Sequence, residues 1–522
     1  MTAITAATLP LTASVTPITS VPAATIVEPQ VAIDLPFPPA AIVSLGKADT
    51  TGVVQMYTAR GALTDGPPTL AWENTTQNKV TTTMAGNLFS QATADRFRGL
   101  GAALLNQVST TGQSFSQSVI QPNTGGTLSA SALTAVQTNL RTHADNSINL
   151  TIKTASGATV TLSLASNGDG LSAQVDVSGG KLTDAELAAV GKLADGFQSA
   201  IDGLNAKPPT LKLDGLAQFD KSVLSSVDLT AQFKDADIQS LSFQADAKQR
   251  SVNVSSLQGD LNLSVDTSNS AILGTAAQQA KAMQAYLKQF AAAQTRGQGD
   301  EQLMGMFKDA FTTLNSNLDS TAASSSPVLS KADHALLSGL ADFSAAITQH
   351  SQTSNPMRIS EVDAFAYQVS QSTSATGSQA NRVIAQKQDA KLIASYHESL
   401  APGIKLKLDT DKSSQNYTYY KIDDSLSSSS RIAYKKDELV DATLSHSSQQ
   451  SSTALKYVLG QLQSSITTPK QNSGTSNVMS ILKAALEQDK QAGFGNKGDG
   501  PAYQRAVDGI HAQVLAGMGW GQ

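Results

Sequence analysis

The chain has 522 residues, of which 40% are apolar and only 15% charged, with a net charge of −5 and no cysteine. At about 150 residues per domain this length suggests roughly three folded units, and the missing thiol excludes disulfides, zinc–thiolate sites, iron–sulfur clusters and cysteine nucleophiles. Mild acidity without a basic stripe leaves no footprint for nucleic acid or an anionic membrane.

The first 27 residues carry no charged side chain, nine Ser or Thr and three Pro. The first basic side chain is Lys47, and Pro10, Pro17 and Pro22 interrupt every apolar run. A Sec signal needs a basic start and an unbroken apolar stretch, and a bilayer span needs about 18 apolar residues or more; neither is met here or later in the chain. Proline blocks helix continuation and hydroxyls compete for backbone hydrogen bonds, so the segment is expected to be extended. Nine of the seventeen prolines precede residue 70, and residues 1–75 read as a Pro/Thr/Ala-rich arm. With its Ser/Thr content, Ile4 and no acid before Glu28, this N-terminus resembles a type III or flagellar export signal of Gram-negative bacteria. The resemblance covers about thirty residues and is one of composition. It implies a non-Sec route to the medium or the cell surface. A tail with no address, or an arm packed along the body, is the plainer alternative, as drift is for the absence of Cys.

From 76 the pattern turns helical. Val80, Met84 and Leu88 recur every fourth residue, and Phe97, Leu100, Leu104, Val108, Phe115 and Val119 continue the stripe to 119. Ser129 caps a short helix. Three alternating segments follow, with Ile148, Leu150 and Ile152, then Val160, Leu162 and Leu164, then Leu171, Val175 and Val177 on one face. The intervening ASGA and NGDG suit hairpin turns, so a three-stranded antiparallel meander is expected. The T-D-A-E box at Thr183–Glu186 opens a helix that covers its apolar face and stops at Pro208. Four further alternating segments carry Val227, Leu241, Val252 and Leu261. Residues 76–270 thus read as an α+β domain of helix, meander, helix, meander.

Residues 271–352 read as helical, in three pieces: one with Met283, Leu287 and Phe290, one with Phe307, Phe311 and Leu314, and a third capped by Ser330 that runs through Leu336, Leu340, Phe343 and Ile347. Residues 353–450 read as a strand-rich polar domain, with 378–400 taken as strand over helix, and with serine runs at 426–430 and 445–453 as loops or wet edges. Residues 451–522 read as helices at 452–465, 476–490 and 501–516, with a tail frayed or docked by Trp520.

Few patterns suggest chemistry. GFGNKG puts Gly493, Gly495 and Gly498 in dinucleotide spacing, but a helix precedes it, Pro501 follows, and no βαβ unit fits the remaining residues; a glycine-rich inter-helix loop is expected. RGLGAAL fails likewise at Leu104. The six histidines, His143, His334, His350, His397, His446 and His511, form no paired metal motif. There is no nucleophile elbow and no P-loop. Asp409 and Asp411 begin like a calcium loop that fails at its sixth and twelfth positions, and Asp235 and Asp237 read as a wet hairpin end. The tyrosines of NYTYYKIDD are read as half-buried strand packing, with stacking on sugars or bases as the alternative.

The expectation is therefore an α+β protein of antiparallel meander sheets packed by amphipathic helices, with no cofactor, no metal and no assignable catalytic residue. The leading functional expectation is a non-enzymatic exported or surface-associated bacterial structural or interaction protein, with partners in a secretion or surface assembly. The alternatives are a type III-type secreted effector whose activity lies in 360–450, and a cytoplasmic enzyme, with a dehydrogenase disfavoured.

Overall fold

The computed structural model describes residues 70–122, 129–318, 328–494 and 498–520. The chain divides after Val54, and every described residue lies in the second unit, Gln55–Gln522. The N-terminal arm as read from sequence up to residue 69 falls outside the described residues.

The first stretch holds β1 (Ala71–Trp72), α1 (Lys79–Asn87), α2 (Leu100–Thr111), β2 (Phe115–Ile120) and α3 (Ala130–Thr142). A meander follows of β3 (Asn146–Thr154), β4 (Thr159–Ser166) and β5 (Gly170–Ser178), then α4 (Asp184–Lys192), α5 (Ala194–Leu204) and the single turn α6 (Asp214–Ala217). A second meander comprises β6 (Leu224–Phe233), β7 (Ile238–Asp246), β8 (Gln249–Ser256) and β9 (Gly259–Asp266). The helices α7 (Ala276–Gly297), α8 (Glu301–Asn315) and α9 (Lys331–Ala335) lead to β10 (Asp342–Gln349) and β11 (Ala364–Thr376). The chain closes with β12 (Val383–Ser399), β13 (Tyr417–Lys435), β14 (Glu438–Val458), β15 (Gln461–Asn477), α10 (Met479–Gln491) and α11 (Pro501–Gly517).

All strands join one antiparallel sheet in the order β1-β2-β5-β4-β3-β6-β7-β8-β9-β10-β11-β12-β13-β14-β15. The fold is α+β. From β6 onward each strand pairs with its chain neighbour, and β10 pairs β9 across the intervening helices. Strand side chains alternate in direction, and one set is buried. Ile148, Leu162, Val227, Phe243, Val254, Leu263, Phe343, Val369 and Leu392 all enter a single core with residues of α1, α2, α4–α8 and the chain end at Met518. Where α7 and α8 meet β10 and β11, Tyr286, Phe290, Phe307, Phe311, Phe343 and Tyr367 pack largely edge to face, a geometry that adds about 0.5–1.5 kcal/mol per pair to area burial. A second cluster joins α9, α10 and α11 to Ile384, Ile432 and Ala442 of the long strands. Inside it the fully buried Asp333 carboxylate receives Nε and Nη2 of Arg382, whose guanidinium lies 3.7 Å from the centre of the Tyr434 ring.

Local signals explain much of this. Asn78, Thr183, Thr275 and Ser330 close capping boxes at four helix starts, each of which satisfies amides with no intrahelical partner. Ser129 caps α3. Residues 383–399 are strand, and Trp520 packs against the main core.

Four expectations are corrected. The stripe through 119 is broken: Phe115 and Val119 lie in β2 rather than in a helix. The helix capped by Ser330 ends at Ala335, and Phe343 and Ile347 belong to β10. Spacing i, i+4 fits a helix face and a strand face equally, and pairing with β9 and β11 decides for strand. Residues 452–465 are not helical; they lie in β14, β15 and the turn between them. The serine runs at 426–430 and 445–453 are not loops but interior positions of β13 and β14, with Ser428, Ser430 and Ser448 buried.

The far edge, β15, is 17 residues long and exposed over nearly its whole length. It carries Pro469 and Lys470 at its middle, residue types that discourage pairing with another strand.

Candidate functional site

The sheet face turned away from the core is where the register of the strands creates something no single segment contains. Directly opposed residues share a face, so pairing can be followed from strand to strand. Starting at Asp176 in β5, the row passes through Thr161, Thr151, Asp228 and Gln244. It continues through Ser251, Ser264, Ser344, Ser370, Asp389, Ser427 and Ser447 and ends at Ser473 in β15. Every member is polar and half-buried or exposed. Two residues along, a second row runs from Gln174 to Gln471 and includes Asn149, Asn253, Asn262, Gln368 and Gln449, with Ala346 its one apolar member. Hydroxyls and amides thus stand at strand spacing, about 4.8 Å apart.

A depression of about 660 Å³ spans β8 to β14 over these rows. A second depression of about 420 Å³ spans β6 to β9 and shares Asn253 and Asn262 with the first. Three close contacts lie on or beside the face: Lys387 Nζ lies 2.8 Å from Asp389, Lys391 Nζ 3.9 Å from Asp423, and His350 Nε2 3.6 Å from Asp260. α3 covers the face near β5, where Arg141 Nε donates to Ser172 Oγ.

At the opposite corner two loops fold over the same face and enclose a cluster of ionisable side chains. His397 and Tyr419 are directly opposed in β12 and β13, with Tyr417 and Tyr457 alongside. His397 Nδ1 lies 2.6 Å from Asp363 Oδ1, and Nε2 lies 3.2 Å from Glu361 Oε2. Tyr417 Oη donates to the same Glu361 oxygen at 2.6 Å, and Tyr419 Oη donates to the carbonyl of Val362. Ser354 Oγ donates to the other oxygen of Asp363. The fully buried Asn355 gives its amide to Gln415 and Tyr417. Arg358 donates to the carbonyl of Gly460 and sits 4.3 Å from the centre of the Tyr457 ring. Burial first, and the Glu361 carboxylate second, push the Tyr417 phenol well up.

The His397 side chain is 2% exposed, and both ring nitrogens face carboxylate oxygens, which leaves no ring edge for a reacting group. The cluster is a strap that pins residues 351–363 across β12–β14. A larger cleft, about 950 Å³, lies on the helical side and includes Lys192, Asp220, Arg250 and Asp266. Its Arg250 is occupied, donating to the carbonyls of Leu314 and Ser316 at the end of α8.

The residues singled out from sequence are scattered. Gly493 and Gly498 flank the turn between α10 and α11, both in the left-handed region, and Gly495 lies outside the described residues. Gly101 lies where α2 crosses α5, since a Cβ there would come 2.7 Å from Ile201. His143 ends α3, His334 lies in α9, His446 lies over Gly474, and His511 bonds the Ser338 carbonyl. Among the described residues no group of three or more His, Asp or Glu side chains is placed so that it could hold a metal ion. Asp409 and Asp411 cap their own turn, accepting from the amides of Asp411 and Ser413. Asp235 lies in the turn between β6 and β7 in the left-handed region. Tyr417 and Tyr419 enter the strap, while Tyr420 stacks on Tyr396 on the other face. Sequence reasoning named neither polar row, because register is a property of pairs of strands. Glu361 and Asp363 carried no local mark.

No helix among the described residues is long and apolar enough to cross a membrane. Comparison with protein-family models, with curated proteins and with solved structures finds no match to this chain.

Proposed function

We propose that this chain is a non-enzymatic interaction protein, exported to or held at a bacterial cell surface, that works through the open face of its sheet. One observation carries the reading: two rows of outward side chains, most of them hydroxyls and amides, cross the sheet in register over a surface depression. Side chains directed to water need not align by chemical type to stabilise a sheet; exposed strand positions tolerate many residues. An aligned polar array is suited to contact with an extended partner. The uncharged Ser/Thr-rich first 27 residues support the route.

A secreted effector is the second reading, and the cluster around His397 in 360–450 is what favours it. The occupied ring and its burial make that cluster the weaker support.

The test is fractionation of producing cells. The full chain is expected in the medium or the envelope fraction, and a chain lacking residues 2–27 inside the cell. A Ser344→Arg, Ser370→Arg double variant is expected to be exported but to wash from the envelope. Unchanged export of the truncated chain overturns the route; unchanged retention of the double variant overturns the contact face.

A further inference from the structure

We infer that the groove on the open face binds a neutral linear polysaccharide lying across the strands. The inference rests on the open face being the contact surface, and names its occupant.

Three observations converge. The first is shape. The two depressions share Asn253 and Asn262 and together run from β6 to β14, perpendicular to the strands. A groove that crosses nine strands, at about 4.8 Å each, suits a chain rather than a compact molecule. The second is hydrogen-bond chemistry. Ser and Thr hydroxyls and Asn and Gln amides each both donate and accept, as sugar hydroxyls do. Here they repeat on every strand of the groove but β12, which contributes Asp389 and Lys391, at a spacing comparable with the length of a pyranose ring. The third is charge. The residues lining the two depressions hold two carboxylates, Asp260 and Asp389, and one ammonium, Lys391, and Lys387 Nζ lies 2.8 Å from Asp389. A nucleic acid or other polyanion would need an excess of Lys and Arg to replace its counterions, and a polycation would need a run of carboxylates; the lining supplies neither. An uncharged chain meets neither difficulty.

The residues lining the groove include no aromatic ring, so each sugar is held by hydrogen bonds without stacking. Contacts of that kind are individually modest and accumulate along the chain. Binding is therefore expected to require a polymer, with short oligosaccharides failing to compete at matched sugar concentration.

The experiment is native electrophoresis of the full chain in gels that contain hydroxyethyl cellulose, dextran or galactomannan, with alginate as the polyanion. Retardation is expected in at least one neutral gel and not in alginate. It is expected to be lost in the Ser344→Arg, Ser370→Arg variant and, should that variant unfold, in Ser447→Arg at an exposed position. Unaltered mobility in all three neutral gels overturns the inference, as does retardation in alginate alone. Retardation that both variants retain overturns the groove as the site. If wild type is unretarded while the double variant still washes from cells that retain wild type, the contact face stands and only its occupant is wrong.

Discussion

The carboxylate of Asp489, near the end of α10, occupies the space a side chain at position 500 would need: a Cβ on Gly500 would lie 2.2 Å from its Cγ. The two carboxylate oxygens accept from the backbone amides of Ala502 and Tyr503 at 2.9 and 2.8 Å, at the positive end of α11. Pro501 opens that helix, where its missing N–H is not required. The glycine at position 500 thus leaves room for one helix to cap the next.

Asp489→Ala is expected to destabilise the protein by about 1–2 kcal/mol, and Asp489→Asn by less, since the amide oxygen still accepts. Gly500→Ala should reproduce the loss by displacing the carboxylate. Urea unfolding measures the change, and amide exchange at Ala502 and Tyr503 locates it. A Gly500→Ala protein as stable as wild type would show that the close approach is not required.

The strap predicts a local rather than a global weakness. Gln352 and Asp363 exchange backbone hydrogen bonds at 2.9 and 2.8 Å, so their amides report whether residues 351–363 are docked. His397→Ala leaves Glu361 and Asp363 facing a cavity, and leaving a buried hydrogen-bonding group unsatisfied costs about 1–3 kcal/mol. Exchange at these amides should accelerate by about one to two orders of magnitude, with β8 and β9 unchanged. Uniform acceleration across the sheet would make His397 part of the global core instead.

Acid lability should trace in part to Glu186. The side-chain hydrogen bond from Ser156 and the backbone amide of Thr183 hold its carboxyl down at about 2, against 4.5 for an ordinary glutamate. A depressed folded-state value means the stabilisation is fully present above about pH 4.5 and is lost as pH falls toward 2. The thermal midpoint of wild type should fall through that window, and Glu186→Gln should be less stable at neutral pH but show a shallower fall. Parallel curves for the two proteins would remove Glu186 from the account.

Much of the fold was legible wherever one strand or helix face is buried. The meander through Ile148, Val160 and Val175 alternates cleanly because only one face meets the core, and the capping boxes at Thr183 and Ser330 are local by nature. Legibility failed where that contrast fades. Both faces of β15 meet water, so no contrast between a buried and an exposed face marks residues 461–465 as strand. Phe343 and Ile347 were ambiguous because four residues is both one helical turn and two strand repeats. The open face lay beyond reach for a different reason: Ser264 and Ser344 become neighbours only through a pairing that skips more than seventy residues of helix and loop.

The one-sided packing of the sheet has a consequence for how the molecule can change. Along each strand, alternate positions answer to separate demands: Leu263 to the interior, Asn262 and Ser264 to whatever lies outside. A substitution at an outward position leaves the inward set untouched, so the chemistry this surface presents can drift, or be redesigned, while the scaffold beneath it keeps its stability.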